Sequence, residues 1–386
     1  MPHYDVAIAG LGAMGASAAL QLSKRGARII GFDRFNPPHS FGSSHGETRV
    51  TRLAIGEGEH LTPLAMRSHE LWREIESETA ARLLSERGAL IISSERNAAQ
   101  THVSGFFRRT VAVATKFGIR HEILSAAQIR VRWPQFNVRD DEIGYFEPTG
   151  GFVRPEECVH AELMLARRYG AELHVNEPVL EFDASTGGVT VATRRGRNSA
   201  DRLIIAAGAW LPELLGEQYA RLFKVYRQTQ VWFEVEDTGL FAPDRFPVFI
   251  WELQNSTQGI YGFPALDGAR AIKIASERFE TTTTPAEVNR DVSADQVAAL
   301  HDLVAPNLYG VTSRCLKSAA CLYTVAPDFG FIIDTHPDCE RIIIASPCSG
   351  HGFKHSPAIG EMLADMVLGQ TRRFDLAPFG LRRFLE

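Results

Sequence analysis

The first 33 residues constrain this chain more than any other stretch. Tyr4 to Ala9 is a short apolar run of strand formers that ends in Gly10-Leu11-Gly12-Ala13-Met14-Gly15. A helical pattern follows, with Ala19, Leu20 and Leu22 apolar, Lys24 and Arg25 in the last turn and Gly26 as the stop. Arg28 to Phe32 reads as a second strand, and Asp33 ends it. Strand, glycines, helix, strand and acid in this order predict a βαβ unit that binds a dinucleotide. Gly10 permits the tight turn, and Gly12 lets the backbone approach a pyrophosphate. Ala13 and Met14 open the helix whose N-terminus faces the phosphates, and Gly15 lets that helix pack closely on the strand. Asp33 is placed to accept hydrogen bonds from the hydroxyls of an unphosphorylated adenosine ribose, a reading that by itself suits NAD as well as FAD.

Composition removes other classes. Hydrophobic residues make up 45% and charged residues 23% of the 386 positions, too apolar and evenly charged for a disordered chain. A net charge of −5 argues against a nucleic-acid footprint. No apolar stretch reaches the roughly 18 residues that a membrane-spanning helix needs. Asp5 and the early glycine motif do not fit a signal peptide, so no membrane association and a cytoplasmic setting are expected. The five cysteines, Cys158, Cys315, Cys321, Cys339 and Cys348, are odd in number and irregular in spacing. That fits a reducing compartment and offers no zinc-ligand set, so no metal is expected. The length suggests about two domains.

Beyond the βαβ unit, Ser40-Phe41-Gly42-Ser43-Ser44-His45-Gly46 reads as a polar loop. Thr62-Pro63 is read as N-cap and N1 of a helix to about Glu78, and Ser356-Pro357 as the cap of a final helix through Leu368. Gly170 to Val175 and Gly188 to Thr193 are read as strands of a meander. Arg202 to Ala207, Gln230 to Val235, Ala271 to Ala275, Phe331 to Ile333 and Arg341 to Ala345 read as further strands. No repeat or low-complexity linker separates domains, so interleaving is expected.

Five motifs occur in one order: the dinucleotide unit, Ser44-His45-Gly46-Glu47-Thr48-Arg49-Val50-Thr51-Arg52, Tyr261-Gly262-Phe263-Pro264, Cys321-Leu322-Tyr323-Thr324 and Ser349-Gly350-His351-Gly352-Phe353-Lys354. Together they resemble the monomeric sarcosine oxidase and N-methyltryptophan oxidase family of flavoproteins, over essentially the whole chain. The resemblance implies a Rossmann-like, glutathione-reductase-type FAD-binding domain (α/β) interleaved with a substrate domain built on a mixed sheet (α+β). The FAD domain is expected at 1–86, 147–218 and 315–386, and the substrate domain at 87–146 and 219–314. The implied reaction oxidises the C–N bond of a secondary amino acid to an imine and reduces oxygen to hydrogen peroxide. Small-molecule amine, oxygen and a monomeric state complete the expectation.

Residue roles follow from the same resemblance. Cys321 alone begins Cys-x-Tyr-Thr and is expected to link FAD covalently through the 8α carbon; Cys315 is the rival. A buried, inert cysteine is the default alternative, because attack requires a thiolate. Arg52 and Lys354 are expected to hold the substrate carboxylate, the arginine as a fork and the lysine as a point charge. Arg49 and His45 are expected beside the flavin, and Lys273 is expected to activate oxygen by stabilising superoxide. An outward lysine on a half-exposed strand is the alternative for Lys273. Tyr261 and Tyr323 are expected to border the substrate cavity, with core packing as the alternative. His351 is read as a loop element at the flavin rather than a general base. Arg34, Ser43, Ser44, Thr48, Val179, Gly208, Gly350, Gly352 and Phe353 complete the expected cofactor contacts.

Departures bear on substrate. Relatives acting on sarcosine carry a histidine four residues after the lysine, where this chain has Glu277. Ser346-Pro347-Cys348 replaces a small residue, glycine and an aromatic, which is expected to widen the pocket. Additional residues between Glu252 and Tyr261 are expected to rebuild a cavity wall next to Trp251. Alternatives are a dehydrogenase passing electrons to another acceptor, an NAD dehydrogenase, a flavin-holding scaffold without turnover and a tRNA-modifying relative. An NAD enzyme would leave Cys321 and the C-terminal glycine loop unexplained. A scaffold would lack the clamp, and the acidic balance disfavours RNA.

Overall fold

The computed structural model describes residues 3–94, 103–254, 256, 258–266, 268–371 and 373–385. The βαβ unit forms as expected. Strand His3–Ala9 pairs in parallel with Ile29–Phe32, and helix Ala13–Lys24 connects them. Alternation splits the first strand between two cores. Val6 and Ile8 pack with the helices, while Ala7 and Ala9 pack with Val189, Val191 and Leu211 on the other face. Gly10 adopts φ 95°, and a Cβ there would sit 2.5 Å from the Ala206 carbonyl oxygen. A Cβ on Gly15 would lie 1.8 Å from the Gly10 oxygen. Both glycines are therefore required by the backbone itself, one for the turn and the other for close helix–strand approach.

Parallel pairing extends the sheet through Glu172–His174, Ile29–Phe32, His3–Ala9, Gly196–Ile205 and Cys339–Ser346, with Ile332–His336 antiparallel at the end. Helices Ala13–Lys24, Pro155–Arg168 and Ser356–Leu368 cover one face. An antiparallel meander, Glu181–Ser185, Gly188–Thr193 and Gly196–Ile205, continues from the sheet. Two expectations are corrected here. Residues 172–174 belong to the parallel edge beside Ile29–Phe32, not to the meander. The strand expected at Arg202 to Ala207 starts at Gly196 and stops at Ile205; its first half is largely exposed and carries no apolar run to mark it.

Neither expected cap functions as a side-chain cap. A 3-10 turn, Glu59–Leu61, runs directly into helix Thr62–Thr79, and another, Phe353–His355, runs into Ser356–Leu368. Those turns occupy the place a capping side chain would fill. Pro63 and Pro357 remain in the first turn, where a missing N–H is harmless.

Among the described residues the second sheet has nine strands, eight of them in the order Thr282–Thr283, Lys224–Val235, Ala271–Ser276, Ile260–Gly262, Val248–Trp251, Ala89–Ser94, Glu142–Glu147 and Glu122–Ser125. Val311–Val325 lies along Lys224–Val235 and brings Cys321 opposite Gln228. Its core is aromatic: Phe136, Phe246 and Phe249 have ring centroids 5.0 to 5.8 Å apart. Arg49–Thr51, Gly151–Val153 and Leu84–Glu86 form a small third sheet. Among the described residues, no helix is long and apolar enough to cross a membrane.

Candidate active site

The C-terminal end of the parallel sheet opens into a cavity. Gly10, Gly12, Ala13 and Met14 form its floor, and Asp33, Arg34, Ser43, Ser44, Val179 and Gly208 stand around it. Gly15 lies beneath Gly10, behind the wall. A Cβ on Gly12 would meet protein only at ordinary distance, Ser44 Oγ at 3.5 Å. The demand for glycine there therefore comes from the cavity side. Ser44 Oγ accepts from Ala13 N–H at 3.2 Å and ties the loop to the helix N-terminus. Asp33 is buried, and its carboxylate accepts from Leu11 N–H at 2.7 Å and Phe35 N–H at 2.8 Å. A carboxylate has about four acceptor positions, so capacity remains toward the cavity. Arg34 pairs with Glu213 at 2.6 Å and lies over the Trp210 ring at the cavity mouth.

The loop between Gly42 and Arg52 joins this cavity to the second sheet. Glu156, in the first turn of helix Pro155–Arg168, accepts from Gly46 N–H at 2.5 Å and from Glu47 N–H at 3.1 Å. Glu47 adopts φ 68°, and its carboxylate accepts from Trp232 Nε1 at 2.7 Å and Lys317 Nζ at 2.5 Å. This anchoring turns the Gly46 and Thr48 carbonyls onto Lys273, whose ammonium donates to them at 2.7 and 2.6 Å. Lys273 is 3% exposed and lies 4.1 Å from the Phe263 ring centroid, so the outward-lysine reading does not hold. Burial, reinforced by Arg49, pushes its amine well below the usual lysine value.

Arg49 donates to the Ser43 carbonyl at 2.7 Å and lies 3.5 Å from Cys321 Sγ. Cys321 is fully buried behind Gly42 and Ser43, whose carbonyls lie 3.9 and 3.8 Å from its sulfur. Burial raises its thiol pKa, against the lowering influence of Arg49. Cys315, the rival, is partly exposed on the outer half of the same strand, lines neither cavity and donates to the Lys317 carbonyl at 3.2 Å. His45 is buried, and its imidazole is held neutral, pushed down to about 3 by burial and then by Arg49 and Lys273.

A second cavity lies across this loop. Arg52 and Lys354 both line it, as do Thr48, Tyr261, Lys273, Glu277 and His351. Arg52 is 1% exposed; it pairs with Glu57 at 2.5 Å, donates to the Ala54 carbonyl and lies over Phe106. Lys354 donates to the His351 carbonyl at 2.6 Å. Burial lowers Lys354 to about 8, opposed by nearby Glu57. The Tyr261 and Tyr323 hydroxyls lie 3.2 Å apart. Burial pushes Tyr261 up to about 12 and Tyr323 well above its usual value, so both stay protonated. His351 Nε2 lies 3.1 Å from the Phe329 carbonyl, and its ring stacks on Phe331.

Arg49, Tyr323, Gly350 and Phe353 line both cavities, which therefore meet along one wall. Gly352 lines the first alone, and Lys354 and His351 the second alone. His45 and Cys321 stand behind the wall rather than in it. Pro347 and Cys348, expected to widen the substrate pocket, line the first cavity instead. Trp251 is buried and donates to Glu142 at 2.9 Å, away from either cavity. Gln258 and Gly259 of the added segment do line the second cavity, while Asn255 and Thr257 lie outside the described residues. Sequence reasoning missed Glu57 and Glu47, although both fall within the Gly- and Glu-rich stretch that carries Arg49 and Arg52.

Residues 5–366 match the family described as FAD dependent oxidoreductase. The chain is 38% identical over 385 residues to the monomeric sarcosine oxidase of Streptomyces avermitilis, covering 99% of this chain and 98% of that one. It is 35% identical over 394 residues to the N-methyl-L-tryptophan oxidase of Salmonella heidelberg, covering 99% and 100%. Among solved structures, NikD, described as an unusual amino acid oxidase essential for nikkomycin biosynthesis, superposes with a TM-score of 0.85 at 24% identity over 98% of each chain.

Proposed function

This chain belongs to the FAD-dependent oxidoreductase family, and from that premise we propose that it is an oxidase of secondary, N-methyl or cyclic amino acids that uses oxygen as acceptor. The observation that carries the proposal is the wall shared by the two cavities, because a cofactor in the first and a substrate in the second would touch only there.

The first cavity fits FAD. Asp33 would hold its ribose, the N-terminus of helix Ala13–Lys24 its pyrophosphate, and Arg49 and Tyr323 would border its ring system. When bound, FAD supplies the two-electron acceptor for the substrate. Arg52 and Lys354 hold the substrate carboxylate, Tyr261 and Tyr323 exclude water beside it, and Lys273 keeps a buried amine next to the ring system for the reaction with oxygen. We also read Cys321 as the site of a thioether to the flavin, supported by its contact with Arg49, whose charge favours the thiolate. The same reading makes residues 1–86, 147–218 and 315–386 the FAD-binding part, which carries the parallel sheet, and residues 87–146 and 219–314 the substrate part, which carries most of the nine-stranded sheet, in a monomeric cytoplasmic enzyme.

The test is a peroxide assay across sarcosine, N-methyl aromatic amino acids, proline, pipecolate and simple amines. Stoichiometric peroxide from a carboxylated secondary amine is the expected result. Substrate oxidation without peroxide, sustained only by an added quinone, would replace the oxidase reading with a dehydrogenase.

A further inference from the structure

We infer that Glu277 receives the positively charged nitrogen of the substrate and takes its proton before the C–N bond is oxidised. The inference rests on the amino-acid oxidase reading and extends it to the form of substrate that the site accepts.

Glu277 follows directly on strand Ala271–Ser276, the strand that carries Lys273. Its neighbour Arg278 is fixed in both backbone directions: Arg278 N–H donates to Gln228 Oε1 at 2.9 Å, and Gln228 Nε2 donates to the Arg278 carbonyl at 2.6 Å. Gln228 is itself 2% exposed, so the backbone that aims Glu277 is held from inside the protein. The carboxylate reaches the wall between the cavities, where a Cβ on Gly350 would lie 3.1 Å from Glu277 Oε1 and 3.0 Å from the Tyr323 ring. Its negative charge is felt by Tyr261, Tyr323 and Lys354 alike.

The charges of the cavity are thus sorted. Arg52 and Lys354 offer cations to a carboxylate, and Glu277 offers an anion beside them. That layout complements an α-amino acid zwitterion. Among the described residues three carboxylates line the cavity, and of these Glu277 is the one at the wall shared with the first cavity, while Glu57 pairs with Arg52 at 2.5 Å and Glu280 is exposed. Tyr261 and Tyr323 keep their protons, so neither accepts one. The aromatic faces of Tyr261, Phe279 and Tyr323 add a surface that favours a cation.

Chemistry requires the proton to leave. Oxidation to an imine uses the nitrogen lone pair, which an ammonium lacks. In the proposed step one N–H bond of the substrate ammonium breaks and its electron pair stays on nitrogen. The proton forms an O–H bond on the Glu277 carboxylate.

The test compares two ligands that the enzyme cannot oxidise: trimethylglycine, a permanent cation with a carboxylate, and 3,3-dimethylbutyrate, the carboxylate that has a neutral tert-butyl group in place of the trimethylammonium. Binding to the holoenzyme is read from the change in the visible flavin band. The unmodified enzyme is expected to prefer trimethylglycine by about tenfold. In Glu277→Gln the preference falls to about twofold or less, the remainder coming from the aromatic rings. An unmodified enzyme that binds both ligands equally, or a Gln variant that keeps the full preference, overturns the role of Glu277. If neither ligand perturbs the flavin while uncharged amines do, the amino-acid reading of the site fails instead.

Discussion

The guanidinium of Arg49 lies 3.5 Å from the sulfur of the buried Cys321. Arg49 donates to the Ser43 carbonyl as well, so the charge is fixed in place rather than swinging in solvent. Burial and this charge act on the thiol in opposite directions, and burial is the larger effect. The sulfur is therefore a poor nucleophile that depends on Arg49 for what thiolate character it has. Cys321→Ala is expected to release all flavin into the supernatant on acid precipitation, while unmodified protein gives a yellow pellet. Arg49→Gln should slow attachment by about tenfold or more, read by the mass of the flavin-bearing peptide over time. A yellow pellet from Cys321→Ala would remove Cys321 from the chemistry.

Lys273 is held by the Gly46 and Thr48 carbonyls and by the faces of Trp232 and Phe263. Lys273→Met should slow reoxidation of the reduced enzyme by oxygen by about 10²-fold or more. The rate of anaerobic reduction by substrate should change far less. Stopped-flow measurement of the two half-reactions separates these effects, and equal losses in both would end the oxygen role.

Arg52 already faces a carboxylate, Glu57, at 2.5 Å. A substrate carboxylate has to share or displace that partner. Arg52→Ala should raise the KM for carboxylated amines by about 30-fold or more, with little change for an uncharged amine. Glu57→Gln should do the opposite, tightening carboxylate ligands severalfold because the arginine is no longer neutralised. Equal effects on both amine types would remove the clamp.

Lys354 has its pKa lowered to about 8 by burial, with Glu57 opposing the shift and Arg52 adding to it. Below that pH the amine is charged and attracts a carboxylate; above it the attraction is lost. Affinity for 3,3-dimethylbutyrate should therefore fall by about tenfold as pH rises through 8, and Lys354→Met should abolish the dependence. Because the unfolded lysine titrates near 10.5, the unfolded chain binds more protons between 8 and 10.5, and this residue makes stability rise with pH across that interval.

Glu162 is fully buried between helices, accepts from Ser17 Oγ at 2.6 Å, and is pushed up to about 8 by burial. The folded protein thus holds a proton that the unfolded chain loses near 4.5. Its contribution is present in full below that value and declines as pH rises toward 8. Glu162→Gln keeps the hydrogen bond without the charge, and should raise Tm at pH 8 by about 2–4 °C while leaving it unchanged at pH 4.5. A Tm gain equal at both pH values would show that the carboxyl does not titrate.

The βαβ unit was fully legible because its glycines answer to local backbone sterics, which sequence reports directly. Strand residues 172–174 were misassigned because three residues carry no period, and only pairing with Ile29–Phe32 decides their place. The caps at Thr62 and Ser356 were misread because a preceding 3-10 turn does the capping, and such turns have little sequence signature. Around the site, Lys273, Arg52 and Lys354 stood out as charges in apolar or glycine-rich surroundings. Glu57 and Glu47 did not, since a glutamate among glutamates says nothing until its partner, Arg52 or Trp232, is seen. The destination of Pro347 and Cys348 was equally hidden, because which cavity a loop residue faces depends on strands far away in the chain.

Arg49, Tyr323, Gly350 and Phe353, common to both cavities, carry an evolutionary consequence. An inherited change at any of these positions alters two binding events at once, so selection on one is checked by the other. Diversification of substrate is left to the far side, at Gln258, Phe279 and Glu280, which line the second cavity and not the first. New specificities in this lineage should therefore arise there first, with the shared wall inherited almost untouched.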